Sequence, residues 1–156
     1  MDDQDLALLR NLLREQRLLS LAVMVEGAPV AGLVPFLASP DLGALVVHVS
    51  ALARHSQGLG AGDAWSGVVH VPDSSDVDPT QVPRVLLHGR SRRLEDAAVV
   101  RAIRPKWLER FPGARMTVDL GDFAFVSLDL EGGRLVGGAG QALNLSREHF
   151  ARAARV

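Results

Sequence analysis

Leucines recur at helical spacing between Asp2 and Arg17: Leu6, Leu9 and Leu13 form one stripe, and Leu8 and Leu12 widen it. Asp2, Asp3 and Asp5 lie at the end where a helix dipole favours negative charge, and Arg14 and Arg17 at the end where it favours positive charge. This pattern predicts a helix with one face packed on a core. The period then changes. Leu18–Val25 is a short apolar run closed by Glu26-Gly27-Ala28-Pro29, a hairpin turn, and Val30–Leu37 runs back. Pro35 has no N–H for a ladder, so this second strand belongs at an edge or a bulge. After a turn at Ser39-Pro40-Asp41-Leu42-Gly43, Ala44–Val49 is a third strand, spaced for an antiparallel meander.

Ser50 stands where it would cap a short helix over Ala51–Leu59, ended by Gly58, Gly60 and Gly62. Trp65–Val71 and Arg84–Leu94 are the next strands, separated by a polar loop, Pro72–Pro83, that carries Asp73, Asp76 and Asp78. Helical spacing returns over Glu95–Arg110, with a break or kink expected near Arg104 because Pro105 follows it. Phe123–Leu130 and Arg134–Val136 read as a last strand pair about a Glu131-Gly132-Gly133 turn, and Ser146 caps a small helix through Ala154. The fold class is therefore mainly β with flanking helices: antiparallel strands in a closed or partly closed barrel. One domain spans 1–156, with the helix at about 2–17, the barrel at about 18–137 and a C-terminal tail or helix at about 146–154.

Composition changes this picture little and narrows the chemistry. The chain has 156 residues, a net charge of -1 and no cysteine. That length supports one core without covalent staples, and the charge offers no basic face for nucleic acid. Thiol chemistry and thiolate metal sites are excluded. The acidic N-terminus is unlike a signal peptide and no apolar run is long enough for a membrane span, so a cytoplasmic protein is expected. Lys106 is the only lysine, and tyrosine is absent.

The candidate chemistry gathers where the third strand meets the short helix. Ser50, Arg54, His55 and Ser56 could hold a phosphate through hydroxyls, a guanidinium and backbone N–H groups, or could form a capped surface helix facing water. His48, His70 and His88 lie in predicted strands; without HxH or HExxH spacing they read as histidines bonded within the fold, and no metal is expected. The Asp73–Asp78 loop lacks the glycine and terminal glutamate of a calcium loop. Gly58–Gly62 and Gly137–Gly140 match no nucleotide-binding spacing and read as tight turns, and no GxSxG elbow is present.

In order, the chain carries LVPF at Leu33–Phe36, VSALARHSQGL at Val49–Leu59, Asp78-Pro79 ahead of RVLLHGR at Arg84–Arg90, FPGA at Phe111–Ala114, GDF at Gly121–Phe123 and LVGGAGQA at Leu135–Ala142. This set, from about Leu13 to Leu145, resembles the FMN-binding split-barrel family related to pyridoxamine 5'-phosphate oxidase, and within it the branch associated with haem utilisation. The resemblance implies a six-stranded antiparallel split β-barrel and a homodimer with FMN at the subunit interface. The backbone around Val34, Pro35 and Phe36 would face the isoalloxazine, and Ser50, Arg54, His55 and Ser56 would lie near the ribityl phosphate. The implied activity is flavin-dependent oxidoreduction of a small molecule, or exchange of electrons with a redox partner. The alternatives are a cofactor-less ligand-binding or interaction module and a haem-binding relative, for which His149 is the histidine near the C-terminal end. The sequence departs from the family pattern at Gly58, where an asparagine is usual, and at Asp63 and Ala64, where proline and arginine are usual.

Overall fold

The computed structural model describes residues 1–137 and 141–156, so the last residues of the Gly137–Gly140 stretch lie outside the described residues. Helix α1, Asp3–Glu15, starts where expected: Asp2 accepts from the Asp5 N–H at 2.9 Å and Asp5 accepts from the Asp2 N–H at 3.1 Å, a reciprocal cap. Leu6, Leu9, Leu12 and Leu13 are buried. Strand β1, Leu18–Val25, alternates strictly between exposed and buried, with Leu19, Leu21, Val23 and Val25 facing inward. It pairs antiparallel with β2, Ala28–Pro35, across a turn in which Glu26 and Gly27 take positive φ.

The expected meander stops there. After the two-residue β3, Leu37–Ala38, strand β4, Ala44–Ser50, pairs with β3 and with β7, Phe123–Val136, and not with β2. The cause is burial on both sides. Leu45, Val47 and Val49 point into the main core, whereas Val46 faces a second cluster with Trp107, Phe111, Val118 and Phe125. A strand covered on both faces belongs inside the sheet. Pro35 ends the β2 ladder, and β2 is an edge strand, as the missing N–H requires. Strand β5, Ala64–His70, and β6, Arg84–Arg93, complete the order β2-β1-β5-β6-β7-β4-β3, with β8, Ala142–Ser146, added beside β7. The six long strands of that path, β1, β2 and β4 to β7, curl into an antiparallel split barrel, open between β2 and β4.

Two other expectations are corrected. Phe123–Val136 is one strand of 14 residues, and the Glu131-Gly132-Gly133 turn does not form. There Gly132 and Gly133 sit opposite His88 and Leu87 of β6, where the glycines admit close backbone approach: an added Cβ at Gly133 would overlap the Leu86 carbonyl oxygen. Helix α2, Ala97–Arg110, runs through Pro105, so of the break or kink expected there the break does not form. Pro105 and Arg101, whose carbonyl loses its partner, are both exposed, so water can take up the lost bond. Helix α3, Arg147–Ala153, is opened by Ser146 as expected, with the Ser146 N–H donating to His149 Nδ1 at 3.0 Å. Among the described residues no helix is long and apolar enough to cross a membrane.

Candidate functional site

The expected helix over Ala51–Leu59 is a 3₁₀ turn over Arg54–Gly58, and Ser50 is the last residue of β4 and not its cap. Three of the four residues expected near a phosphate make hydrogen bonds or an ion pair within the chain. Ser50 Oγ donates to Asp122 at 2.7 Å and accepts from the Leu52 N–H at 3.1 Å. Ser56 is buried and its Oγ donates to the Ser50 carbonyl at 2.6 Å. Arg54 forms an ion pair with Glu26 at 2.8 Å. Arg84, at the start of β6, donates to the Thr80 and Val82 carbonyls. His55 packs over Gly32 so closely that a Cβ there would lie 2.7 Å from Nδ1. The cluster thus brings Ser50 and Ser56 together but sends Arg54 to the β1–β2 turn, and adds a carboxylate, Asp122. Asp122 places a negative charge beside Ser50, which disfavours an anion there while that contact holds.

The departures at Gly58 and Asp63 have structural reasons. A Cβ at Gly58 would stand 2.7 Å from the Met24 carbonyl oxygen and 2.8 Å from Val23, so any side chain there requires β1 to move. Asp63 accepts from the Gly60 N–H at 2.7 Å and braces its own turn.

Of Val34–Phe36, Val34 and Phe36 are buried in the main core, and only exposed Pro35 reaches a recess. That recess, about 350 Å³, is lined by Pro35, His48, Trp107, Phe111, Thr117 and Phe123, with Arg17 at its side. Alternation on β4 turns His48 toward α2, where its ring centroid lies 4.4 Å from Phe125, 5.0 Å from Phe123 and 5.9 Å from Trp107. Burial pushes the His48 imidazole below its ordinary pKa, partly opposed by Asp119, and neither ring nitrogen has a hydrogen-bond partner among the described residues. Arg104 holds Asp119 at 2.7 Å and keeps its carboxyl below the usual range. The Arg17 guanidinium lies 5.3 Å from the centre of the Phe111 ring. Sequence patterning placed His48 in a strand but could not bring Trp107, Phe111 and Phe123 to it. The FPGA and GDF motifs were the available signal, since they carry two of those rings.

The other histidines do not converge with His48. His70 bonds the Val71 carbonyl at 2.6 Å, His88 packs against Gly132 on β7, and His149 is engaged at the start of α3. Among the described residues no cluster of three or more histidine or carboxylate groups forms a metal site. In the polar loop, Asp78 accepts from the Thr80 N–H at 2.8 Å and caps a 3₁₀ turn.

Burial also lowers the pKa of His55, so both His48 and His55 bind protons less readily in the folded chain than in the unfolded one. Their contribution to stability is therefore complete above about pH 6.5 and is lost as pH falls below it, before ordinary carboxylates titrate near 4. Chemical denaturation at pH 7.5 and pH 5 should show lower stability at pH 5, and His48→Gln should flatten that slope. An unchanged slope in the variant would remove His48 as its source.

No family profile matches the chain, and no curated protein matches it by sequence. Solved structures do. A haem-binding protein from Mycobacterium smegmatis is 27% identical with a TM-score of 0.83, over 97% of this chain and 62% of that one. The chain thus spans less than two thirds of that relative. HutZ, the haem storage protein from Vibrio cholerae, is 20% identical with a TM-score of 0.73, over 83% of this chain and 93% of that one. A Clostridium acetobutylicum protein described as related to general stress protein 26, of the pyridoxinephosphate oxidase family, is 14% identical with a TM-score of 0.70, over 96% and 99% of the two chains. The chain has the split-barrel fold of the pyridoxamine 5'-phosphate oxidase-like proteins and resembles the haem-utilisation branch among them.

Proposed function

We propose that this chain is a haem-binding split-barrel protein, with the His48 recess as the haem site. The observation that carries the reading is His48 itself: an imidazole kept neutral by burial, with both ring nitrogens unpartnered, in an aromatic recess. A neutral imidazole is the form that ligates iron, and flat aromatic walls suit a planar macrocycle. Arg17 supplies a cation for a propionate. Bound haem would supply an iron centre, which His48 would hold among the apolar side chains of the recess. The M. smegmatis haem-binding protein, similar over nearly the whole chain, supports the same ligand.

The second reading is the FMN-dependent oxidoreductase that the ordered motifs imply, with a small-molecule substrate. It requires Arg54 to leave Glu26 and Ser50 to leave Asp122, because those contacts occupy the phosphate ligands. In either case the partner is a second copy of the chain, on the outer face of β2-β1-β5-β6. That face is a shallow concavity floored by Ser20, Ala22, Ser66 and Gly67, with Leu33 64% exposed and Met24 55% exposed.

Titration of the purified protein with haem and, separately, with FMN tests both readings. Haem is expected to bind stoichiometrically with a shifted Soret band, and His48→Ala to lose the ligated spectrum. The same preparation should scatter light as twice the 16.7 kDa chain. Flavin fluorescence quenching without haem binding would favour the second reading. A His48→Ala spectrum identical to wild type would remove His48 as ligand.

A further inference from the structure

A second cleft, about 340 Å³, lies between the C-terminal end of α1, the β3–β4 hairpin and α2. Leu37 and Val46 from the strands and Ile103 from α2 give it an apolar wall. Arg14, Lys106 and Arg110 give it three cations, and no carboxylate lines it. It shares no lining residue with the His48 recess.

The cations are uncompensated. Ion pairs among the described residues involve Arg54, Arg90, Arg92, Arg104 and Arg147, and none of the three at this cleft. Arg14 donates to the Pro40 carbonyl at 3.1 Å and Arg110 to the Gln16 carbonyl at 2.5 Å, so both are held by neutral acceptors. Arg110 Nε is buried without a partner. Arg17 adds a fourth positive charge nearby, since its guanidinium and that of Arg110 lie over the same Phe111 ring, at 5.3 and 5.7 Å. Asp41, on the hairpin turn, is occupied by Ser39 Oγ and the Gly43 N–H. The chain as a whole has 18 acidic residues against 17 basic ones, so this concentration of charge is local. Helix C-termini favour cations, which accounts for Arg14 and Arg110 in the last turns of α1 and α2. It does not account for an open apolar wall beside them.

We propose that this cleft binds a small amphipathic anion, its carboxylate or phosphate end among Arg14, Lys106 and Arg110 and its apolar body against Leu37, Val46 and Ile103. The anion supplies the acceptors that the chain does not, and the volume suits a body of medium length.

Calorimetric titration with octanoate, octyl phosphate, 1-octanol and inorganic phosphate tests this. Octanoate or octyl phosphate should bind once per chain, and whichever binds more tightly identifies the head group. Octanol and inorganic phosphate should each bind at least about tenfold more weakly, because each lacks one half of the interaction. Lys106 is exposed, so Lys106→Gln should keep the fold, checked by circular dichroism, while weakening the anion about fivefold. Arg14→Gln should do the same, and His48→Ala should change nothing. Equal affinity for octanol and octanoate, equal affinity for inorganic phosphate, no binding of either amphiphile, or an unaffected Lys106→Gln would each overturn the proposal.

Discussion

Gly89→Val is expected to destabilise the protein by more than about 3 kcal/mol, or to leave no soluble folded chain. Gly89 lies in β6 at the register shift against β7, next to His88, where the two backbones come unusually close. A Cβ there would overlap the carbonyl oxygen of Asp129 and lie 2.9 Å from its carbonyl carbon and 3.2 Å from the Glu131 nitrogen. All three are backbone atoms at the centre of the sheet, so no rotamer change relieves the overlap. One strand would have to slide or separate, and β6 and β7 share the longest ladder in the fold. Urea denaturation, with Gly113→Ala as the contrasting variant, checks this. Gly113 has open space about it and should tolerate alanine within about 0.5 kcal/mol. Equal midpoints for wild type and Gly89→Val would show that the ladder yields where it is drawn tight.

Phe36→Ala should cost about 3–5 kcal/mol, the range for deleting a buried phenyl ring. Phe36 is 0% exposed in the main core, and its N–H donates to the Arg17 carbonyl at 3.1 Å, tying the end of β2 to the link between α1 and β1. Its removal leaves a cavity among side chains from several strands, which cannot all move to fill it. The Phe36 side chain faces the core, so the loss should appear in the unfolding midpoint. Ligand affinity per folded chain should stay close to wild type. A variant that keeps wild-type stability but loses ligand would reverse this assignment.

The two variants also show which kinds of information the chain carries locally. Strand β1 follows from neighbouring residues alone, as a short apolar run closed by a turn. The close approach at Gly89 does not, because the atoms that forbid a side chain belong to Asp129 and Glu131, some 40 positions away. The candidate site divides in the same way. Ser50, Arg54, His55 and Ser56 were legible as polar groups near a strand end. Their partners, Asp122 and Glu26, come from other elements, and those partners decide whether a phosphate finds free donors. His48 was legible as a strand histidine. Its recess required α2 and the Pro112–Met116 turn to fold back over β4.

By itself the sequence determined the local elements whose signals are short-range: the capped α1 with its leucine stripe, the β1–β2 hairpin, the edge position of Pro35 and the start of α3 at Ser146. Side-chain periodicity, caps and missing donors act over a few residues, and nothing distant overrides them here. Tertiary structure decided the pairing of β4 with β7, the single long β7, the unbroken α2 and the partners that Ser50 and Arg54 find in Asp122 and Glu26. Each depends on which distant surface covers a face or supplies a counter-charge. A strand apolar on both sides must be central, and an arginine beside a glutamate has its charge partly met, but neither partner can be read from the residues on either side.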